Sequence, residues 1–336
     1  MTMRSVLAGL ALAAFSSAVA IAGNAGYPLT IENCGRTLTF EKPPQKVVSL
    51  GQAMHEIVYA LDLGQRLTGT AVWLGPVREE HAEANATVPR LADESPSFES
   101  VVASGPSLVL SEFEWHVGPD GVVGTRDQFA ELGIQTYIAP MDCTGKDNAS
   151  GGNGRRVQPF TMEQVYRAIS DLSQIFDVRD RGNALIATLK EREARAVASV
   201  ARASDVPVLV WFTSPQMKGD ASVAGSNGAP AYIISKLTAR NAIASDDEWP
   251  WASWETIAKS NPAVIVLAAM DRRFNPGDDP QAKMAFLRTD PVASQMPSVQ
   301  AGRYFVMRAE AMNPSMRTID GIELLASKMR EFGLAE

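Results

Sequence analysis

The sequence predicts an α/β protein of two lobes, each built on a parallel-type sheet flanked by helices, joined by one long rigid α-helix. Three observations lead there. Short strands that are apolar on both faces alternate with helical segments, the pattern of parallel sheets covered on both sides. One helical stretch of about two dozen residues, 179–202, breaks that alternation, which then begins again. A helix–strand unit also occurs twice. Ser97-Phe98-Glu99-Ser100-Val101-Val102 runs through Ser104 and Pro106 into Leu108-Val109-Leu110. Ser253-Trp254-Glu255-Thr256-Ile257-Ala258 runs through Ser260 and Pro262 into Val264-Ile265-Val266.

Residues 1–22 read as a cleavable signal peptide. Arg4 supplies the positive region, 6–20 is apolar, and Ala18-Val19-Ala20 and Ala20-Ile21-Ala22 both offer small-x-small cleavage sites. The run is short and alanine-rich for a membrane span, and no cysteine follows it to carry a lipid. The mature chain is therefore expected to be secreted and soluble. In an oxidising compartment the two cysteines, Cys34 and Cys143, are expected to form a disulfide.

The first lobe is assigned to 23–176. It opens with a strand at 46–50 and a helix at 54–61 closed by Gly64, followed by a strand at 67–72. A long loop, 74–96, leads to the first copy of the repeated unit. Thr125 caps a helix to Leu132, and a strand follows at 136–139. The polar stretch 144–156, dense in Gly, Asn and Asp, has no period and reads as a mobile loop. The interlobe helix is assigned to 177–203, of which the two dozen residues 179–202 span roughly 36 Å at about 1.5 Å per residue. The second lobe, 204–336, repeats the alternation: a strand at 207–212, a helix at 229–237, the second copy, a strand at 304–307 and a terminal helix from about 315 to 332.

In each copy the serine is placed to cap a helix, the glutamate sits near the positive end of its dipole, and the proline stops the helix. Composition narrows the function. A charge of −7 argues against nucleic acid as a partner, and 46% hydrophobic with 21% charged residues suits a soluble globular chain. Phosphate-loop, nucleophile-elbow and zinc-protease motifs do not occur, so no catalytic residues are assigned and an enzyme is not expected. The three histidines, His55, His81 and His116, all precede the long helix, which is a poor set for a bare metal held between lobes.

The segment Glu56-Ile57-Val58-Tyr59-Ala60-Leu61, the paired Ser-x-Glu units and the long helix together resemble the periplasmic substrate-binding proteins of ABC importers for ferric siderophores, haem or cobalamin (class III, helical-backbone type). The resemblance spans the mature chain and departs from the family at His55, where threonine is usual, and at Asp62, where glycine is usual. It implies that Glu99 and Glu255 dock on arginines of an ABC permease dimer in the inner membrane. It also implies a monomeric carrier that binds one ligand between the lobes and holds no cofactor of its own. Matched charges on each lobe suit such a symmetric partner.

Ligands of open α/β sheets lie beyond the carboxyl ends of the strands. Those ends give the ligand-binding candidates Gln52, Trp73, Trp115, Trp211, Trp249, Trp251, Arg272 and Arg308, with His55 as a further contact and Arg155 and Arg156 as a lid. Aromatic faces and arginine forks suit a bulky, oxygen-rich Fe(III) chelate, with haem or cobalamin as the alternative.

Overall fold

The computed structural model describes residues 26–149, 151–200, 205–271 and 274–335. The signal peptide and Arg272 lie outside the described residues. A hairpin of β1 (Leu29–Asn33) and β2 (Arg36–Phe40) opens the chain. The first lobe continues with β3 (Val47–Leu50), α1 (Gln52–Ala60), β4 (Leu67–Ala71), α2 (Ala82–Ala86), β5 (Arg90–Ala92), α3 (Phe98–Ala103), β6 (Leu108–Ser111), α4 (Glu114–Val117), α5 (Arg126–Glu131), β7 (Gln135–Ile138) and α6 (Pro140–Cys143). A short hairpin, β8 (Lys146–Asp147) and β9 (Arg155–Arg156), precedes α7 (Met162–Ile175) and the interlobe helix α8 (Arg179–Ala198). The second lobe comprises β10 (Pro207–Thr213), β11 (Ala221–Val223), α9 (Ala229–Lys236), β12 (Arg240–Asn241), β13 (Trp251–Ala252), α10 (Trp254–Ser260), β14 (Val264–Ala269), α11 (Pro280–Thr289), α12 (Pro297–Gln300), β15 (Tyr304–Arg308) and α13 (Thr318–Glu331).

The first sheet has the order β5-β4-β3-β6-β7 and is parallel throughout. The second has the order β13-β11-β10-β14-β15, with β12 beside the start of β10. Its centre, β10-β14-β15, is parallel, but β11 is antiparallel to both neighbours. The connection 214–220 between β10 and β11 is too short for the crossover that a parallel pair requires.

The helix α8 is shorter than the expected 177–203, about 30 Å at 1.5 Å per residue. Leu189 and Ala196 are buried on one side, and Arg192 donates to Asp320 (2.7 Å) and Glu323 (2.6 Å) of α13. One apolar cluster runs from Val47 and Leu110 of the first sheet through Ile169 of α7 and Leu189 of α8. It continues to Val208 and Val266 of the second sheet and Ile322 of α13. The connection is stiff because the helix shares its core with both lobes.

Cys34 and Cys143 are bonded, with Cα atoms 5.7 Å apart. The bond joins the β1–β2 turn to the end of α6. Asn33 completes the junction, donating to Ile138 O at 2.7 Å and accepting from Ile138 N at 2.9 Å. Asp62 holds φ at 55°, the left-handed backbone that the usual glycine would adopt. The stretch 144–156 is mostly turns, as expected of a loop, but its ends are paired. It folds back as β8–β9, and Arg156 at its end is buried. Two-residue strands are too short to leave a period in the sequence.

Candidate functional site

The repeated units have the same local geometry. Ser97 (φ −73°, ψ 153°) accepts from Ser100 N at 3.2 Å; Ser253 (φ −71°, ψ 155°) accepts from Thr256 N at 3.3 Å. At the far end Ser104 Oγ donates to Val101 O and Ser260 Oγ to Ile257 O, both at 2.7 Å. The next residue is left-handed in both copies: Gly105 at φ 66° and Asn261 at φ 46°, residue types that tolerate that region. Each unit joins an edge strand, β5 or β13, to a central strand, β6 or β14. Glu99 and Glu255 are exposed at equivalent first turns, and neither lines a cavity between the lobes.

The carboxyl edges of the two sheets face one another. Gly75, after β4, lies so close to the turn after β15 that a methyl group there would sit 1.9 Å from Glu310 Oε1 and 2.2 Å from Arg308 Nη2. A larger residue there would require the Glu310 and Arg308 side chains to move. Beside it, Arg317 Nε donates at 2.9 Å to both carboxylate oxygens of Glu56 on α1, joining the lobes. Burial works against the Arg317 charge, but the Glu56 carboxylate outweighs it and the pKa rises. Arg78 reaches Asp320 across the same junction.

Two cavities flank this closed centre. The larger, about 360 Å³, is lined by Trp73, Leu74, Gly75, Pro76, Arg90, Asp93 and, from the second lobe, Asp271. Arg90 lies over the Trp73 ring at 5.0 Å. The smaller, about 30 Å³, lies between Glu112, Phe113, Asp142, Lys146 and Arg156 of the first lobe and Glu248, Trp249 and Asn313 of the second. Burial pushes the Glu112 carboxyl up to about 8, against the Ala53 N–H that donates to it at 2.8 Å, so it is protonated at neutral pH. Burial also raises Asp142, against the pull of Lys146 beside it.

The expected ligand residues divide accordingly. Trp73 and Trp249 line the two cavities, and Trp249 stacks on Phe212 at 4.3 Å. Arg308 stands at the closed centre, held by Asp271 (3.1 Å) and Glu310 (2.8 Å). Gln52 is buried: it accepts from Leu74 N and Gly75 N and donates to Pro76 O, so it shapes the cleft wall without facing the cavity. Trp115 lines a separate hollow with Glu114 and Gly118. Trp251 is 56% exposed on edge strand β13 and lines neither cleft cavity. Two expectations are corrected. Trp211 has no exposed surface; it packs against Trp254 at 4.6 Å and donates to Ser214 Oγ at 3.0 Å inside the second lobe. His55 is likewise enclosed, bonded to Ser49 Oγ (2.7 Å) and Ala71 O (3.0 Å), and burial lowers its pKa to about 3.

A model of the periplasmic binding protein family matches residues 47–311. The chain belongs to that family. Its members are extracytoplasmic solute-binding proteins that serve a membrane transporter, not enzymes. This periplasmic binding protein is 23% identical over 244 residues to the uncharacterized ABC transporter substrate-binding lipoprotein YvrC of Bacillus subtilis, covering 71% of this chain and 69% of that one. It is similar to a structure described as an ABC-type Fe3+-hydroxamate transport system from Saccharomonospora viridis, with TM-score 0.71, 25% identity and coverage of 90% and 99%. It also shares its fold with a periplasmic haem-binding protein from Pseudomonas aeruginosa, with TM-score 0.66, 20% identity and coverage of 87% and 94%.

Sequence reasoning missed the groups that position this binding protein's cleft. Glu56 was read only as part of an ordinary helix. Yet Gln52 to Tyr59 are all buried, and a carboxylate in so apolar a helix needs a partner. Lys283 gave no signal beyond being one lysine in a helix. It is fully buried, donates to Trp211 O (3.2 Å), Phe212 O (2.6 Å) and Ala268 O (2.7 Å), and burial lowers its pKa to about 7. It ties the ends of β10 and β14 together beneath the Phe212–Trp249 stack.

Proposed function

We propose that this protein is the periplasmic solute-binding component of an ABC importer, exported through a cleavable signal peptide as a monomer. It captures a ferric siderophore or similar Fe(III) chelate between its lobes and delivers it to the permease. The observation that carries the ligand class is where the histidines, the side chains best suited to hold iron directly, lie. His55 and His116 are both enclosed in the first lobe, and His81 lines neither cleft cavity. The cleft instead offers the indole of Trp73 with Arg90 over it, and Trp249 backed by Phe212. Such a surface suits iron that arrives already wrapped in its own oxygen donors. A neighbour described as an Fe3+-hydroxamate transport system points the same way. Docking rests on Glu99 and Glu255, which present equivalent charges to a two-fold partner.

The test is tryptophan fluorescence titration of the mature chain with ferric hydroxamates, ferric catecholates, ferric citrate, haem and cobalamin. One ferric chelate is expected to quench saturably at a ratio of one to one. Saturation by haem or cobalamin alone would replace the chelate with a macrocycle, and turnover of a bound chelate would argue for an enzyme.

A further inference from the structure

The wall of the smaller interlobe cavity includes an arginine, Arg156, whose guanidinium has an unpaired donor and lies 5.9 Å from the Phe160 ring. Arg156 is 2% exposed, and three of its bonding groups are accounted for. Its Nε faces Glu248 at 3.3 Å, its Nη2 donates to Met141 O at 2.9 Å, and its carbonyl accepts from Asn227 at 3.2 Å. Among the described residues its Nη1 is buried without a hydrogen-bond partner. A buried, unpaired guanidinium nitrogen is costly, about 1–3 kcal/mol or more for a charged group. Arg156 therefore stands out on a cavity wall whose other charges are paired. Lys146, 3% exposed, is bonded to Asp142 and, at 3.3 Å, to Asn153. An ammonium has three donors, so Lys146 keeps one in reserve. Two carboxylates, Asp142 and Glu248, balance the two cations, and Glu112 is neutral at pH 7.

Size sets a further limit. About 30 Å³ holds one or two water-sized groups, not a chelate. We infer that this cavity is a subsite for a single anionic oxygen group, a carboxylate carried at the periphery of the bound chelate, received by Arg156 Nη1 and Lys146 Nζ. The inference rests on the chelate reading of the cleft and adds a requirement to it. The iron and its donor shell occupy the wider part of the cleft, while one carboxylate arm enters between β9 and the segment ahead of β13. Because Arg156 also bridges the lobes, a seated carboxylate completes the guanidinium at the point where first and second lobe meet.

The experiment compares two probes: a ferric trihydroxamate, and the same trihydroxamate bearing one free carboxylate. Wild-type protein is expected to bind the carboxylate form roughly tenfold or more tightly, the scale of a charge-assisted hydrogen bond. Arg156→Gln should remove most of that preference, read as the ratio of the two affinities measured on the same variant. Arg156→Lys should restore part of it. An equal loss for both probes would make Arg156 a purely structural bridge and overturn the subsite. So would equal wild-type affinities, which decide the matter even if Arg156→Gln does not fold. Failure of the wild type to bind either probe would instead reject the chelate reading, and the subsite with it.

Discussion

The two lobes share one plan, and the places where they agree differ in kind from the places where they part. The sheets have the same spatial order, and the unit from edge strand through capped helix to central strand matches down to the serine caps and left-handed termini. Around the cleft the likeness ends. The first lobe brings buried acids and the Arg156 hairpin, whereas the second brings a buried lysine and a stacked Phe212–Trp249 pair. Only the first is braced by a disulfide, and only the second has an antiparallel strand in its sheet. Repetition is kept at the two exposed glutamates, where the proposed function puts a symmetric partner, and lost around the cleft, where it puts a single ligand.

That comparison can be broken or sharpened. The largest effect is expected at the junction that fixes the spacing of the lobes. Arg317→Met leaves the buried Glu56 carboxylate with only the more distant Arg78 (3.7 Å) and the Gln52 amide (3.2 Å), and breaking a buried pair costs up to about 3–5 kcal/mol. Thermal unfolding should remain a single transition at a lower temperature, because one apolar cluster serves both lobes. Two separated transitions would show the lobes to be independent units and the stiff-helix account to be wrong.

A smaller effect tests the unlike cleft walls. Glu112 has an ordinary pKa of 4.5 and is raised to about 8 by burial. Between those values the folded protein holds a proton that the unfolded chain has lost, so stability should fall as pH rises from about 4.5 to 8. Denaturant unfolding of Glu112→Gln across that range should show a flatter profile. An unchanged profile would mean that Glu112 is ionised in the cleft and that the first lobe's wall is more acidic than described.

Much of the fold was legible because it is written in repetition and period. Strands such as Val47–Leu50 and Val264–Ala269 are apolar without interruption, and the capped helices carry their own start and stop residues. The short strands β5, β11 and β13 were not, since two or three residues cannot establish an alternation. The site was less legible for a related reason. Tryptophan marks a strand end and a core equally well: Trp73 and Trp211 are both buried, and only the three-dimensional neighbours show that Trp73 borders a cavity while Trp211 packs inside the second lobe. Glu56, Arg156, Lys283 and Arg317 come together only through contacts between distant segments, which no local pattern records.

The central claim is that Glu99 and Glu255 are equivalent contacts for a two-fold permease and play no part in holding the ligand. The most direct test measures the affinity of ligand-loaded protein for the reconstituted permease, using Glu99→Ala, Glu255→Ala and the double variant. The two single variants should lose affinity by a similar factor, and the double variant should fail to bind while its affinity for the chelate is unchanged. Loss from one glutamate alone, or a double variant that docks as wild type, would contradict the account.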